Sequence, residues 1–137
     1  MRTTQEARPL TAHIRRANGR GKNVCTSAVL AYFNIDPSEY RQCQHLHDVK
    51  RILNAWGYSC RSRASQLPKG ATVGQARAWV RSKRSGAREW TDSYAVVVKG
   101  HILLLGHDGH TVVDTDPRKV DRRKVNFFFR ICAKGCA

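Results

Sequence analysis

Two residues of this chain stand in local sequences that suit nucleophilic chemistry. Cys25 lies where a short polar loop, Gly21-Lys22-Asn23, runs into an apolar stretch of helical character. The dipole of a helix favours the thiolate form of a cysteine at its N-terminus. His101 follows Gly100 at the start of a strand-like apolar run, where an imidazole can face such a thiol as a base. An aspartate comes next, so the chain order Cys, His, Asp is one that suits a thiol hydrolase.

Two acids are candidates for orienting the imidazole, Asp114 and Asp116. The dipeptide Asp108-Gly109 is a strong signal for a two-residue hairpin. Counting outward from that turn places His101 opposite Asp116, with Asp114 opposite the residue one pair along on the same face. Either acid can therefore reach the imidazole, and the hairpin count alone favours Asp116.

The same region of the chain offers donors for a developing oxyanion. The first amides of the helix, including that of Cys25, can donate to the negative oxygen of a tetrahedral intermediate. A side-chain amide from Asn18 or Asn23 can assist, and the spacing does not choose between these two.

The elements that position these residues follow from a change of periodicity at about residue 94. Apolar spacing and turn signals predict helices over 23–33, 38–42, 47–56 and 72–81, and strands over 58–60, 94–99, 101–106, 110–115 and 125–132. The expected class is α+β, with N-terminal helices packed on a C-terminal antiparallel β-sheet. Residues 1–22 are expected to form a basic arm, and residues 23–137 a single domain.

The chain carries a net charge of +15, which predicts attraction to polyanions such as nucleic acid. One long segment contains eight basic residues and no acid: Arg61, Arg63, Lys69, Arg77, Arg81, Lys83, Arg84 and Arg88. The alternative is a solvated basic surface without a dedicated ligand. No apolar run is long enough for a membrane span, and the polar N-terminus does not resemble a signal peptide, so we expect a cytoplasmic protein without membrane contact.

Five cysteines cannot all pair within one chain, and their spacing is irregular. We therefore expect reduced cysteines in core and tail positions. A zinc site would need two nearby ligand pairs, and only Cys43 with His45 and His47 suggests one. We expect neither a metal ion nor another cofactor.

The layout resembles the papain-like cysteine peptidase fold, most closely the small peptidase-like proteins of bacteriophages and more distantly the bacteriocin-processing double-glycine peptidases. The segments that carry the resemblance are 23–29 around the cysteine, 97–101 ending in Gly-His, and 113–119 with Asp-Thr followed by basic residues. The resemblance implies Cys25 as nucleophile, His101 as base and Asp114 as the orienting acid. These families often carry a glutamine before the cysteine for the oxyanion hole, and residues 15–20 contain none.

Two functions are therefore expected as alternatives. The first is a phage-type cysteine peptidase or related thiol hydrolase that acts on a protein or peptide in the host cytoplasm. The second is a catalytically inactive papain-like basic protein that binds nucleic acid or a partner protein, in a virion or during host takeover. The distance between the Cys25 thiol and the His101 ring discriminates between them, because base catalysis needs hydrogen-bond reach.

Overall fold

A computed structural model describes residues 24–42, 46–82, 92–115 and 119–133. These residues form the helices α1 (Val24–Tyr32), α2 (Leu46–Ala55) and α3 (Val73–Arg81), the 3-10 helices Pro37–Gln42 and Ala64–Gln66, and the strands β1 (Tyr58–Ser62), β2 (Ser93–Val98), β3 (His101–Gly106), β4 (Thr111–Val113) and β5 (Phe127–Ala133). The predicted α+β class is confirmed. The predicted arm over residues 1–22 lies outside the described residues.

The five strands form one antiparallel sheet in the order β1-β5-β2-β3-β4. Strands β2 and β3 form a hairpin in which Val98 pairs with His101. The two-residue turn between them contains Gly100 with φ of 74°, a left-handed conformation that glycine adopts without a steric penalty. This turn fixes where β3 begins and so places His101 at one end of the sheet.

Helices cover both faces of the sheet. Helices α1 and α2 share one apolar cluster with alternate residues of the strands, including Ile102, Leu104 and Phe129. Helix α3 packs on the opposite face, where Trp79 contacts the rings of Tyr94 and Phe128. Consecutive side chains of a strand point to opposite faces, and β2 and β3 each carry several apolar residues in a row, so both faces of these strands are apolar.

Helix α1 is mostly apolar: its polar residues Thr26 and Ser27 are buried, and its central residues Val29 and Leu30 are fully buried. A helix without an exposed polar face belongs inside a fold, which explains why α1 packs against both β3 and α2. It ends where Asn34 adopts a left-handed φ of 58° and the amide of Ile35 bonds the carbonyl of Leu30. The apolar sequence therefore seats the first turn of α1, with Cys25, against the sheet.

The hairpin after β3 differs from the expected two-residue turn. The amide of Gly106 bonds the carbonyl of His110, so the loop contains three residues, and a bulge between Leu104 and Leu105 restores the pairing of Leu104 with Val113. Strand β4 covers only Thr111–Val113, shorter than the predicted 110–115. Asp114 and Thr115, the described residues that follow Val113, are therefore outside the ladder, and Asp114 reaches the start of β3.

The three described cysteines differ in whether they are disulfide-bonded. Cys25 and Cys60 are free thiols, whereas Cys132 is disulfide-bonded. The expectation of reduced cysteines is therefore wrong at Cys132. Helix α1 carries Cys25 and strand β1 carries Cys60, so the two free thiols occupy distinct surroundings that can be compared.

Candidate active site

Three elements meet at the end of the sheet where β3 begins. Cys25 is the second residue of α1, His101 is the first residue of β3, and Asp114 directly follows β4. The structure brings these three side chains together. The Nε2 atom of His101 lies 2.7 Å from Oδ1 of Asp114, and the imidazole is also hydrogen-bonded to the thiol of Cys25.

The imidazole is well shielded from water. The side chains of His101 and Asp114 are only 8% and 15% exposed, so their interaction is weakly screened by solvent. Because Nε2 faces the carboxylate, Nδ1 is the ring nitrogen left for the thiol. The ring thus bridges an acid and a nucleophile, which fixes its orientation.

These neighbours change the pKa of His101. The hydrogen bond to Asp114 is the largest cause, and with the hydrogen bond to Cys25 and the charges of both groups it raises the pKa from 6.5 to about 9, against the opposing effect of burial. An imidazole with such a pKa is protonated at neutral pH. The geometry therefore favours an imidazolium beside the thiol.

The pKa of the Cys25 thiol is shifted in the direction that favours the thiolate. Burial is the largest single influence and raises the pKa, but the hydrogen bond and charge of His101 and the backbone amides of Ile102 and Thr26 outweigh it, so the pKa is lowered from 9.0. No acid stands in the first turn of α1 to oppose the thiolate. Both shifts stabilise the same state, a thiolate paired with an imidazolium.

The Ile102 amide is available to the thiol because of the short β4. The last described ladder pair between β3 and β4 is Leu104 with Val113, and Ile102 lies beyond it. The amide of Ile102 donates to the sulfur of Cys25 instead of to a carbonyl of a longer β4. Sequence reasoning missed this donor, since it depends on where the ladder ends.

Arg123 supports the turn that precedes His101, and sequence reasoning also missed it. Its Nη2 donates to the carbonyl of Lys99 in the β2–β3 turn. The amide of Asn126 donates to the carbonyl of Val97, so the segment before β5 is hydrogen-bonded to the end of β2. The only sequence signal was a basic cluster around residue 123, which indicated charge and not this contact.

Cys60, the second free thiol within the described residues, provides a contrast to Cys25. Cys60 is half-buried, and burial raises its pKa to about 11, with only the charge of Lys50 opposing. A buried thiol without a hydrogen-bonding imidazole is poorly ionised. The lowered pKa of Cys25 is therefore a property of its partners and not of burial in general.

Several predicted site residues lie outside the described part of the chain. These are the oxyanion candidates Asn18 and Asn23, the second acid Asp116, and the basic residues Lys83, Arg84 and Arg88. The amide of Cys25 belongs to the first turn of α1, where amides have no partner within the helix. It remains the oxyanion donor for which the described structure provides a position.

The five described residues of the basic segment do not share one element. Arg61 lies on β1, Arg63 and Lys69 lie in the connection to α3, and Arg77 and Arg81 lie on α3. Arg77 donates to the Gly109 carbonyl and to Thr111, forms an ion pair with Asp121, and is only 14% exposed. Arg61 and Lys69 are exposed, so these two have the accessibility that a polyanion contact needs.

Comparison with known proteins adds no relative. No protein-family model, no curated protein and no solved structure matches the chain.

Within residues 24–42, 46–82, 92–115 and 119–133, no helix is both long and apolar enough to cross a membrane. The same residues contain no group of three or more His, Cys, Asp or Glu side chains suited to holding a metal ion.

Proposed function

We propose that the chain is a papain-like thiol hydrolase that cleaves a peptide or protein, of the kind found in small phage-encoded peptidases. The observation that carries the proposal is the contact of one imidazole with both the Cys25 thiol and the Asp114 carboxylate. Nucleophile, base and orienting acid come from three separate elements, and each lies within reach of the next.

In the first half of the reaction, the thiolate of Cys25 attacks the carbonyl carbon of the substrate and a C–S bond forms. The carbonyl oxygen becomes an oxyanion, which the first-turn amide of Cys25 is placed to stabilise. As the tetrahedral intermediate collapses, the C–N bond breaks and the imidazolium of His101 gives its proton to the leaving amine. The products are a free amine, a neutral imidazole and a thioester on Cys25.

In the second half, the neutral imidazole accepts a proton from water as the water oxygen attacks the thioester. The C–S bond breaks, the carboxylic acid leaves and the thiolate–imidazolium pair is restored. Asp114, through its hydrogen bond to Nε2, holds the ring in the orientation that serves both steps. The pKa of about 9 for His101 ensures that the resting site carries the proton needed for the leaving group.

An activated ester tests this proposal without knowledge of the natural substrate. With p-nitrophenyl acetate, we expect a burst of nitrophenolate and an acetyl group on Cys25 detected by peptide mass mapping. Cys25→Ser should abolish the burst, and Cys60→Ser is the matched control because it removes the second free thiol of the described residues. Acetylation that is equal at both cysteines, or a burst that persists in Cys25→Ser, would contradict the proposal.

A second candidate function is weak nucleic-acid binding, which the net charge of +15 and the exposed Arg61 and Lys69 favour. Such binding should lack sequence preference and weaken steeply with salt, because it depends on counterion release. Filter binding at two salt concentrations measures it, with the double variant Arg61→Gln, Lys69→Gln for comparison. Affinity that is insensitive to salt would argue against this function.

A further inference from the structure

An open groove of about 540 Å³ lies beside the N-terminal end of α2. Leu46, His47, Lys50 and Phe127 line it. Phe127, the first residue of β5, is 51% exposed, and among the described residues it is the one large apolar side chain with such exposure. An exposed aromatic ring beside a second apolar residue and a cation marks a surface suited to binding a partly apolar ligand.

The groove lies on the same face and at the same end of the sheet as the proposed active site. Phe127 pairs with Val97, and Val97 pairs with Ile102, whose amide contacts the thiol of Cys25. Residues directly opposite each other in a ladder point to the same face. The row Phe127–Val97–Ile102 therefore leads across three strands from the groove to the nucleophile.

The spacing of strands sets the distance along this row. Neighbouring strands lie about 4.8 Å apart, so the backbone of Phe127 is roughly 10 Å from that of Ile102. An extended peptide advances about 3.3 Å per residue, so a chain lying across the row covers that distance in about three residues. A peptide held at the thiol therefore presents a side chain to the groove at about the third residue from the reacting carbonyl.

We propose that this groove is a substrate subsite that receives an apolar side chain with an acidic residue next to it, about three residues from the bond that is cleaved. The proposal rests on the proposed hydrolase function and adds the class of peptide that it acts on. Phe127 and Leu46 supply the apolar contact, and Lys50 supplies the positive charge.

The preference for an acidic neighbour follows from how the charges around α2 are balanced. Asp48 is 3.5 Å from His47 and 3.5 Å from Arg51, so this carboxylate already balances the positive charge of Arg51. The Nζ atom of Lys50 lies 4.7 Å from the centre of the Phe129 ring, an aromatic contact that holds the ammonium without neutralising it. A substrate carboxylate beside Lys50 supplies a negative charge that balances its ammonium.

Epoxysuccinyl peptides test the subsite, because the epoxide alkylates the thiol and either of its two carboxyl groups can carry a peptide. Two series, one extended from each carboxyl, would carry Leu or Ala at the third residue and Glu or Lys beside it. We expect one series to inactivate the wild type on the order of tenfold faster with Leu than with Ala, and severalfold faster with Glu than with Lys. Phe127→Ala should remove the first preference, and Lys50→Met, which keeps the apolar stem, should remove the second.

Two controls separate this inference from the proposed function. Asn54→Ala changes an exposed residue of α2 away from the groove and should leave both preferences intact. Alkylation of Cys25 by iodoacetamide, which carries no peptide, should proceed at the same rate in every groove variant. If that alkylation depends on His101 but neither series distinguishes Leu from Ala, or if Phe127→Ala keeps the wild-type preference, the subsite is refuted and the hydrolase stands. If Cys25 is not selectively reactive with iodoacetamide, both proposals fall.

Discussion

The substitution His101→Ala tests the electrostatics of the site most directly. In the native site the hydrogen bond and charge of His101 bring the pKa of the Cys25 thiol below 9.0. The substitution removes both and leaves burial opposed only by two amide hydrogen bonds. We therefore expect the pKa of the Cys25 thiol to rise in the variant, so that a smaller fraction of the thiol is ionised at pH 7.

The pKa of His101 provides a magnitude for this effect. Its rise from 6.5 to about 9 corresponds to about 3 kcal/mol of preferential interaction with the imidazolium. Asp114 contributes the larger part of this energy, and the Cys25 thiolate contributes a smaller part. By linkage, the imidazolium stabilises the thiolate by the same amount as the thiolate stabilises the imidazolium. A part of about 1.4 kcal/mol already means a tenfold change in ionisation. The alkylation rate at pH 7 should therefore fall by about tenfold or more.

The measurement is the rate of iodoacetamide alkylation at each cysteine between about pH 6 and pH 10, read by peptide mass mapping. Cys60 is the internal control, because a pKa of about 11 leaves about one part in ten thousand ionised at pH 7. Wild-type Cys25 should react faster than Cys60 throughout the neutral range, and the difference should shrink in His101→Ala. A Cys25 profile that is the same in both proteins, or a faster reaction at Cys60, would refute the reasoning.

Three further predictions concern the surroundings of the imidazole. The raised pKa of His101 stabilises the fold fully below pH 6.5 and ceases to do so as the pH rises through about 9, so Asp114→Asn should lower the free energy of unfolding by about 1–3 kcal/mol at pH 6 and by much less at pH 10, as measured by urea titration. Arg123→Ala removes a contact to the β2–β3 turn and should slow alkylation of the site thiol at pH 7 severalfold while leaving circular dichroism unchanged; an unaltered rate would show that the turn holds without it. Gly100→Ala and Gly70→Ala each place a side chain at φ of 74° with open space around it, so each should cost about 1 kcal/mol in urea titration. Only Gly100→Ala should also slow the alkylation of Cys25, and equal alkylation rates in the two variants would contradict a role for the β2–β3 turn.

The sequence by itself determined the elements that carry the site. The polar-to-apolar change before Cys25 predicted a helix start, and α1 begins at Val24. The Gly-His step predicted a strand over 101–106, and β3 has these bounds. Both signals are local, because they reflect helix capping and the conformational freedom of glycine in a turn. Local signals of this kind survive in the fold when no tertiary contact opposes them.

The choice of acid depended on tertiary structure. The predicted two-residue turn placed His101 opposite Asp116. In the structure a three-residue loop is followed by a bulge that restores this register at Leu104 and Val113, but the ladder ends there, and Asp114, the next residue, lies 2.7 Å from the imidazole. The loop is held by α3: Gly109 has φ of 84°, and a Cβ there would lie 2.9 Å from the carbonyl of Arg77. A turn whose shape depends on a helix far away in sequence cannot be derived from its own residues.

The electrostatics of the thiol also belong to the tertiary structure. Cys25 and Cys60 are both partly buried free thiols, yet the pKa of Cys25 is lowered and that of Cys60 is raised to about 11. The difference arises from an imidazole 76 positions further along the chain and from a strand amide that β4 leaves uncovered. Hydrogen bonds and desolvation act over a few ångströms in space, so a sequence names the groups that take part, and only the fold decides which of them meet.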